Sequence, residues 1–485
     1  MFEIELKFQV PTPRQAAVQK AATTASAATS RLQARYFDTP DRRLTKASVA
    51  LRLRQEDGVW VQTLKGRGDN GIRRLEHEVR LPGEPNARLD ITRHAGTEAG
   101  RLLDAALDDR PGALQEIFAT DVTRTHRLIR SGGAVIELAF DVGMLRAGDA
   151  TMPLCELEFE LKSGPLPALF ALAERWSMRH GLWLDVRSKA ERGELLARAA
   201  SAKPSAKPPT RAVPPPLTRQ MSADAALRCL VATCLEQVLP NLSALAAEAG
   251  TPGHLHQARV GLRRLRTALK LWGTPEPRRD AALAALFTQL GSQRDQDALS
   301  AGLLPELLAA GAPMATLAPT PAAASIGETV RGTAHLPALL QMLEFALGSS
   351  NADDEATAIK NVAANVLDTE RRKLRKAARR FERMDDTERH QLRKRLKRLR
   401  YGIELTAALF KSKQIRRELK ALRPAQEALG RYHDLCVAEA LFRAQTDADP
   451  RAWFAVGWLT AGRETQAAVT AQALAPLTTS PRSNG

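Results

Sequence analysis

Two segments of this chain share a spacing that places their basic and apolar residues on separate faces if each segment is a helix. Residues 256–266 read HQARVGLRRLR and residues 390–400 read HQLRKRLKRLR. In each, a histidine and three cations stand at relative positions 0, 3, 7 and 10, which share one narrow face at 100° per residue. Leucines fall about a third of a turn away. Each segment therefore predicts an amphipathic helix, apolar on one side and suited to an anion on the other.

The repeat extends downstream, which favours a duplicated helical unit over two unrelated charge runs. LGSQRDQD at 290–297 and LGRYHDL at 429–435 share Leu-Gly, two further residues, Arg or His, and then Asp. A single basic run is usually a solvated helix face, but two runs in register indicate a polyanion-binding surface. Both histidines are expected to titrate near neutrality. The predicted binding residues are His256, Arg259, Arg263, Arg264 and Arg266 in the first copy and His390, Arg393, Lys397, Arg398 and Arg400 in the second.

The chain changes character at a proline-rich segment. It has 485 residues, too many for one ordinary core, and SAKPSAKPPTRAVPPPLTR at 201–219 is typical of a semi-extended linker. Before this segment apolar and polar residues alternate as in strands, and after it helix-forming residues dominate. The helical part carries 14 of the 17 net positive charges. We predict a first domain at 1–198, a linker at 199–219 and a helical domain at 220–475 with halves at about 220–310 and 326–475.

Three features bear on where the chain works. The opening residues, MFEIELKFQV, carry charges inside their apolar run, unlike a signal peptide. No run of about 18 uncharged apolar residues predicts a membrane helix. The four cysteines have neither CxxC nor metal-site spacing, so they are expected to be reduced thiols. These features predict a cytoplasmic protein with no membrane partner.

The predicted strands of the first domain carry charge along their whole polar face. FEIELKF at 2–8 places Glu3, Glu5 and Lys7 on one face, and CELEFELK at 155–162 aligns three glutamates. For one strand this would indicate a solvated face, but several strands share the pattern. Rows of carboxylates repel each other unless cations intervene, and they suit a hard divalent metal together with a polyphosphate held by Arg and Lys. In a closed barrel, this charged face would point inward.

The sequence lacks the usual signatures of other phosphate and hydrolase sites. GRGDNG at 66–71 has no following Lys-Ser/Thr, so it is interpreted as a hairpin turn and not a phosphate loop. No GxSxG motif is present, and the histidines of the first domain show no nucleophile pattern. Metal-assisted hydrolysis therefore fits better than covalent catalysis.

The first domain resembles the CYTH family of triphosphate tunnel metalloenzymes. The hallmark Glu-x-Glu-x-Lys matches Glu3, Glu5 and Lys7. Further matches follow in order: YFDT (36–39), LRLR (51–54), TLKG (63–66), RLEHE (74–78), IELAFDVG (136–143), CELEFELKSG (155–164) and SKAERG (188–193). The resemblance implies an antiparallel eight-stranded barrel whose tunnel binds triphosphate and one or two metal ions.

The resemblance also implies roles for individual residues. The expected metal is Mg²⁺ or Mn²⁺, held by Glu3, Glu5, Glu156, Glu158 and Glu160. The expected triphosphate ligands are Lys7, Arg52, Arg54, Lys65, Arg74, Arg124 and Lys189. The expected catalytic set comprises Glu3, Glu5, Lys7, Glu76, Glu78 and Glu137. In TRTHR (123–127) the register leaves either Arg124 or Arg127 facing the tunnel.

The helical domain resembles the CHAD family, through HQARVGLRRLR, LGSQRDQD, HQLRKRLKRLRY and LGRYHD. This resemblance implies tandem four-helix bundles and a long-chain polyphosphate partner. The whole architecture is similar to that of bacterial inorganic triphosphatases with a CYTH and a CHAD domain. It implies hydrolysis of inorganic triphosphate, tripolyphosphate, to pyrophosphate and phosphate.

Two other classes of function stay open at this point. One is a hydrolase or cyclase acting on an organic triphosphate such as ATP or thiamine triphosphate, although aromatic residues, which would stack on a ring, make up only 5% of the chain. The other is a non-catalytic polyphosphate-binding adaptor. Nucleic acid is a possible partner on electrostatic grounds, but the basic helices lack interleaved aromatic residues for base stacking.

Overall fold

The computed structural model describes residues 2–67, 74–83, 87–108, 114–200, 207–298, 302–313, 325–348 and 358–479. The chain divides into two compact units, and each is described by itself. The first comprises Met1–Arg211, Glu236–Ala258 and Gly327–Phe345, and the second Ala212–Leu235, Arg259–Ile326 and Ala346–Gly485.

The first unit is built on an antiparallel sheet. Its strands are β1 (Phe2–Glu3), β2 (Glu5–Gln9), β3 (Ala28–Asp38), β4 (Val49–Glu56), β5 (Val59–Arg67), β6 (Arg74–Leu81), β7 (Gln115–Ser131), β8 (Ala134–Ala147), β9 (Ala150–Ser163) and β10 (Trp183–Leu184). Its helices include α1 (Gln15–Ala22), α2 (Arg43–Lys46), α3 (Glu98–Leu107), α4 (Leu166–His180) and α5 (Lys189–Ala199).

The N-terminal segment closes this sheet into a barrel. The strand order is β1-β6-β5-β4-β3-β7-β8-β9-β2-β10, and only Ile4 separates β1 from β2. One short segment therefore pairs with β6, through Glu3 opposite Arg74, and with β9, through Glu5 opposite Glu160. With β1 and β2 counted as one strand and the two-residue β10 set aside, eight of the described strands form the barrel. The predicted antiparallel eight-stranded barrel is confirmed.

The two faces of the barrel differ as the alternation predicts. Leu51 and Leu64 pack outward against Leu44 of α2 and Leu103 of α3. On another side, Phe159 packs edge-on against Trp176 of α4. The helices thus cover the apolar outer face, and the charged positions point into the barrel.

Helix α5 reaches the interior face of the barrel. It begins with a capping box, in which the Ser188 hydroxyl accepts from the Glu191 N–H and Glu191 accepts from the Ser188 N–H. Further along, Leu196 packs in a buried apolar cluster with Tyr36 and Phe118, which lie at inward-facing positions of β3 and β7. Gly193 allows this close approach, because a Cβ atom there would lie 2.1 Å from Phe118 Cδ2.

The C-terminal part of the chain is helical, as predicted. Its helices are α6 (Ala223–Ala246), α7 (Pro252–Trp272), α8 (Pro277–Ala298), α9 (Leu304–Ala309), α10 (Ile326–Arg331), α11 (Leu336–Leu347), α12 (Ile359–Ala378), α13 (Asp386–Leu405), α14 (Ser412–Arg443) and α15 (Ala452–Thr479). In the second unit α12 to α15 form a four-helix bundle in which each helix packs on two others. Its core is formed by buried residues such as Leu367, Leu396, Leu422 and Leu474.

One described helix, α6, is long and apolar enough to span a membrane by length and composition alone. In its most apolar window, however, 78% of the residues are buried inside the molecule. The core helix of a soluble protein passes the same test, so α6 is weak support for a membrane span.

We predict that Gly193→Ala destabilises the barrel by about 1–3 kcal/mol, because the added methyl group overlaps the Phe118 ring in a packed interior. The matched control is Gly457→Ala in α15, where a Cβ atom would meet nothing within 4 Å. Alanine there is expected to be neutral or to stabilise the helix by up to about 1 kcal/mol. Urea unfolding of the two variants checks this, and equal stabilities would contradict the packing of α5 on Phe118.

Candidate active site

Strand register brings charged side chains together on the inner face of the barrel. Residues opposite each other in an antiparallel pair project to the same side of the sheet. The opposed pairs are Glu5 with Glu160, Lys7 with Glu158, Glu137 with Glu160, Asp141 with Glu156, Arg124 with Asp141 and Lys65 with Glu76. Local alternation along each strand is thereby converted into a continuous charged interior.

The inner cluster consists of Asp141, Glu156, Glu158, Arg124 and Lys189. Carboxylate oxygens of the three acidic residues lie within 4.8 Å of one another. Lys189 Nζ lies among them, 2.8 Å from Asp141 Oδ2, 2.8 Å from Glu158 Oε1 and in ion-pair contact with Glu156 Oε1. Arg124 donates in bidentate fashion to Asp141, with both bonds 2.7 Å long, and a further 2.6 Å bond reaches Glu158 Oε2. Two cations thus already occupy the place where three carboxylates could hold a metal.

Hydrogen bonds from Arg192 and Gln9 hold Glu156 in position. Arg192, which is buried on α5, donates to Glu156 Oε2 at 3.0 Å, to Gln9 Oε1 at 3.2 Å and to the Pro153 carbonyl at 3.1 Å. The Gln9 amide also donates to Glu156 Oε2, at 3.2 Å. Glu156 is therefore held from two elements, α5 and β2, while its other oxygen faces Lys189.

The pKa directions in the inner cluster follow from this pairing. Burial alone would raise the pKa of Glu158, but Lys189, Arg124 and Lys7 together hold it well below its usual value. Lys189 and Arg124 do the same for the pKa of Asp141. Conversely, burial would lower the pKa values of Lys189 and Arg124, and the surrounding carboxylates raise both well above normal. These shifts keep Asp141, Glu158, Lys189 and Arg124 charged at neutral pH.

The outer cluster consists of Glu5, Glu137, Glu160 and Lys162. Lys162 Nζ lies 2.7 Å from Glu160 Oε2 and 3.2 Å from Glu137 Oε2. Burial raises the pKa of Glu160, and the charges of Glu137 and Glu5 raise it further, against the effect of Lys162. Glu137 and Glu160 share the Lys162 ammonium group, and Glu5 adds a third negative charge nearby. The three inner carboxylates, by contrast, have Lys189, Arg124 and Arg192 beside them.

A basic wall lines β4 to β6. Lys65 Nζ pairs with Glu76 at 2.8 Å, whereas Arg52 lies 3.9 Å from Glu76 and 3.7 Å from Glu78. Arg54 lies 3.6 Å from Glu78, and the neighbouring Arg52 lowers the pKa of Arg54, with burial contributing. Within the described part of the chain, the buried Nε atoms of Arg52 and Arg54 have no hydrogen-bond partner. Arg54 Nη2 donates to Glu56 Oε2 at 3.1 Å and Arg52 Nη1 to the Tyr36 hydroxyl at 3.4 Å, so each guanidinium group is anchored but keeps an Nε–H that could donate to a further anion.

Most of the residues predicted for the barrel site meet in its interior. Arg124 lies in the inner cluster, whereas Arg127 donates to the Ala21 carbonyl of α1 at 3.3 Å. The side chains of Glu3 and Arg74 lie outside the described residues. The sequence interpretation missed Asp141 and Arg192. Asp141 stands four residues after Glu137 on the same strand face, and this alternation is the signal that could have found it.

In the first basic segment, three arginines of α7 surround one aromatic ring. The guanidinium carbons of Arg259, Arg263 and Arg266 lie 4.6, 5.0 and 5.4 Å from the centre of the Phe287 ring on α8. Arg259 and Arg264 are both buried: Arg259 donates to the Phe287 carbonyl at 3.1 Å and Arg264 to the Val213 carbonyl at 3.2 Å. His256, earlier on the same helix, is exposed.

In the second basic segment, His390 of α13 pairs with His433 of α14. Their Nδ1 atoms are 3.2 Å apart and their ring centres 4.5 Å apart. Burial, together with Lys394, Arg393 and Lys397, lowers the pKa of His390 to about 4, and similar causes lower that of His433 to about 3. The expectation that His390 titrates near neutrality is wrong, because burial and neighbouring cations oppose a further charge. His433 was missed as its partner.

The remaining two cations of the second segment have acidic or amide partners. Arg400 donates to Glu404 Oε1 and to Gln426 Oε1, both at 2.7 Å. Arg398 contacts Glu370 Oε2 at 3.4 Å. At 100° per residue, Lys397 and Arg400 share a helix face with His390, whereas Arg398 lies off that face. Arg398, like Arg264, contacts a residue on another segment of the chain.

We predict that Lys189→Met destabilises the barrel by about 3–5 kcal/mol at pH 7, since it leaves buried carboxylates without their shared cation. In the unaltered protein, the depressed pKa values of Asp141 and Glu158 give stability that is present above their unfolded values and lost as pH falls. In the variant the carboxylates repel each other, so acidification from pH 7 towards 5 is expected to restore stability.

The control for this change is Lys162→Met, which removes an ammonium group that is 38% exposed and shared by partly exposed carboxylates. We expect a loss of at most about 1 kcal/mol there. Urea unfolding at several pH values measures both variants. A Lys189→Met protein that loses stability on acidification as the unaltered protein does would contradict the assigned pairing.

Comparison with known proteins agrees with this geometry. Residues 1–193 match the sequence model of the CYTH domain, and residues 229–443 match that of the CHAD domain. An inorganic triphosphatase from Haemophilus influenzae is 36% identical over 162 residues, a match that covers 33% of this chain and 44% of the relative. The matched region thus spans less than half the length of that relative.

Solved structures of both families are also similar. The CHAD domain from the plant Ricinus communis is 29% identical, with a TM-score of 0.44, over 56% of this chain and 97% of that one. A Hippeastrum protein described as a putative adenylyl cyclase with a dominant triphosphatase activity is 19% identical, with a TM-score of 0.28, over 40% of this chain and 95% of that one. Residues 1–193 are a CYTH domain and residues 229–443 a CHAD domain, and the chain belongs to the proteins that combine these two families.

Proposed function

We propose that this protein hydrolyses inorganic triphosphate, tripolyphosphate, to pyrophosphate and phosphate in the barrel, in a metal-dependent reaction. The observation that carries the proposal is the barrel interior, where a row of carboxylates on β2, β8 and β9 lies opposite cations from β4, β5, β7 and α5. Such an interior suits a linear polyanion bound together with a divalent cation. The similarity to the inorganic triphosphatase from Haemophilus influenzae supports the same reaction.

The outer cluster is the better candidate for the metal. Glu5, Glu137 and Glu160 offer hard carboxylate oxygens, the ligands that Mg²⁺ and Mn²⁺ prefer, and Lys162 pairs with two of them, Glu137 and Glu160. In the inner cluster Lys189 and Arg124, together with Arg192 on Glu156, already balance the three carboxylates. Glu3 is assigned to the metal by the sequence motif. When bound, the metal supplies charge neutralisation at the phosphoryl oxygens and a polarised water.

The cations of the interior would hold the phosphate chain. Arg52, Arg54 and Lys65 line one side, and Arg124 and Lys189 lie on the other, with Lys7 and Arg74 assigned by the sequence motif. These groups would offset the charge that develops on the transferred phosphoryl group during in-line attack by water. Glu76 and Glu78 would orient that water and accept its proton, and the bond that Thr63 donates to Glu78 at 3.0 Å supports this assignment by holding Glu78 in the interior.

The described interior favours an inorganic substrate over a nucleoside or thiamine triphosphate. Among the inward-facing positions described in the eight barrel strands, β10 being set aside, the aromatic residues are Tyr36 and Phe118. They stack on each other, with ring centres 4.3 Å apart, beneath Leu196 of α5. These rings are therefore used in packing and leave no face for a base.

We further propose that the CHAD domain binds long-chain polyphosphate. Arg259, Arg263 and Arg266 on α7, and Arg393, Lys397 and Arg400 on α13, repeat the same helical spacing and place cations for a chain of phosphates. The proposed location is the cytoplasm, where the four free cysteines would remain reduced.

We predict that Glu5→Gln lowers tripolyphosphate hydrolysis by at least about a hundredfold, because it removes a charge facing the metal while keeping the side-chain shape. Phosphate release is measured with Mg²⁺ and with Mn²⁺, on tripolyphosphate, ATP and thiamine triphosphate in parallel. The control is Glu98→Gln, the same change at an exposed position on α3. Unchanged turnover of Glu5→Gln at saturating metal would remove Glu5 from the site, and a preference for ATP would redirect the substrate assignment.

We predict that replacing Arg259, Arg263 and Arg266 with Gln weakens polyphosphate binding, and that replacing Arg393, Lys397 and Arg400 does the same. Each variant is expected to lower the slope of log affinity against log salt by about two, since fewer counterions are released. Because the pKa of His390 is about 4, protonation of this histidine is expected to strengthen binding only at acidic pH. A bound polyanion would raise that pKa.

The control for this prediction uses exposed cations with the same spacing, Arg372 and Lys376 on α12 and Arg379 at its C-cap. Their replacement removes the same charge at positions 0, 4 and 7 of a helix outside the repeat. Fluorescence or filter-binding titrations with long-chain polyphosphate compare the three variants, with circular dichroism as a check on folding. Equal losses in all three would indicate a diffuse basic surface and not two specific segments.

A further inference from the structure

Two cations proposed to hold phosphate already have most of their donors engaged by carboxylates of the protein. Lys189 has three N–H donors, and three carboxylates, those of Asp141, Glu156 and Glu158, surround its Nζ atom. Arg124 gives Nε–H to Asp141 and shares its Nη2 group between Asp141 and Glu158. In this state Lys189 cannot bind a phosphate oxygen without giving up a carboxylate, and Arg124 can offer a phosphate its Nη1 group but not the Nε and Nη2 donors that the carboxylates use.

The three carboxylates are not equally able to leave. Asp141 and Glu156 are fully buried, the first held in bidentate fashion by Arg124 and the second by Arg192 and Gln9. Glu158 retains 13% of its side-chain exposure. In the described part of the chain, its hydrogen bonds go only to Arg124 and Lys189, one through each oxygen. Glu158 is therefore the carboxylate that can exchange.

Glu158 also lies next to the outer cluster. It stands two residues before Glu160 on the inward face of β9, a separation of roughly 7 Å along a strand, and it is opposite Lys7 on β2. A divalent cation among Glu5, Glu137 and Glu160 would attract this carboxylate away from the inner cluster. The two N–H groups that it releases, one on Arg124 and one on Lys189, then face the tunnel.

We propose that Glu158 occupies the phosphate-holding donors of Arg124 and Lys189 until a divalent cation draws it away, so that metal and triphosphate bind cooperatively. The inference rests on the proposed function. Triphosphate binding without metal would have to displace a carboxylate that then remains close to the anion. Metal binding without triphosphate would leave Arg124 and Lys189 short of a counter-charge. Each ligand therefore raises the affinity of the other by the same factor.

The test is binding of tripolyphosphate measured by calorimetry in the presence of EDTA, with the full-length protein. We expect Glu158→Gln to bind about tenfold more tightly than the unaltered protein, because the competing carboxylate is gone. The matched control is Glu137→Gln, which removes the same charge from a side chain that is 23% exposed and paired with Lys162. We expect it to tighten binding by no more than about twofold.

A second variant separates occupancy of the donors from net charge. Glu158→Asp keeps the carboxylate but shortens the side chain, so it is expected to tighten metal-free binding with no change in charge. Thermal unfolding confirms that each variant is folded. If neither Glu158 variant binds more tightly than the unaltered protein, or if Glu137→Gln gains as much as Glu158→Gln, the inference is overturned. If the unaltered protein fails to bind tripolyphosphate with and without Mg²⁺, the proposed function fails instead.

Discussion

The structure depends on the closure of the sheet by its first few residues. Because the segment around Ile4 pairs with β6 on one side and β9 on the other, the charged face of every strand is enclosed. Charges removed from water must be paired or hydrogen-bonded. The ion pairs of the interior are thus a consequence of closure. The barrel meets this requirement by matching carboxylates of β8 and β9 with cations from β7 and α5, whereas in the outer cluster Glu137 and Glu160 share the single ammonium group of Lys162.

The parts of the fold governed by local periodicity could be predicted from the sequence. Alternation of apolar and charged residues identified the strands and the face that Glu5, Lys7, Glu156 and Glu158 share. Partners that depend on distant segments could not be predicted in this way. Arg192 lies on a helix whose docking into the barrel is set by the close contact of Gly193 with Phe118, and its bond to Glu156 spans 36 residues.

The duplicated basic segments show the same limit. Their identical spacing correctly indicated helices, but the environment of each copy comes from the helix packed against it. On α7 three arginines surround Phe287, whereas on α13 His390 faces His433, with its pKa lowered to about 4. Position eight of each copy, Arg264 or Arg398, lies off the shared face and is used in packing or ion pairing. The two copies therefore share a sequence pattern but differ in the side chains that contact their cations and histidines.

Pairing of β2 with β9 also has a consequence for how the domain is made. Gln9 and Glu156 are in contact although 147 residues separate them along the chain. β2 is synthesised before β9 and α5, so its charged side chains stay in water until those two elements have been made. High contact order of this kind slows folding. Lys189 is the last of the inner-cluster residues in the sequence, so the interior cannot have its complete set of charges until α5 has been synthesised.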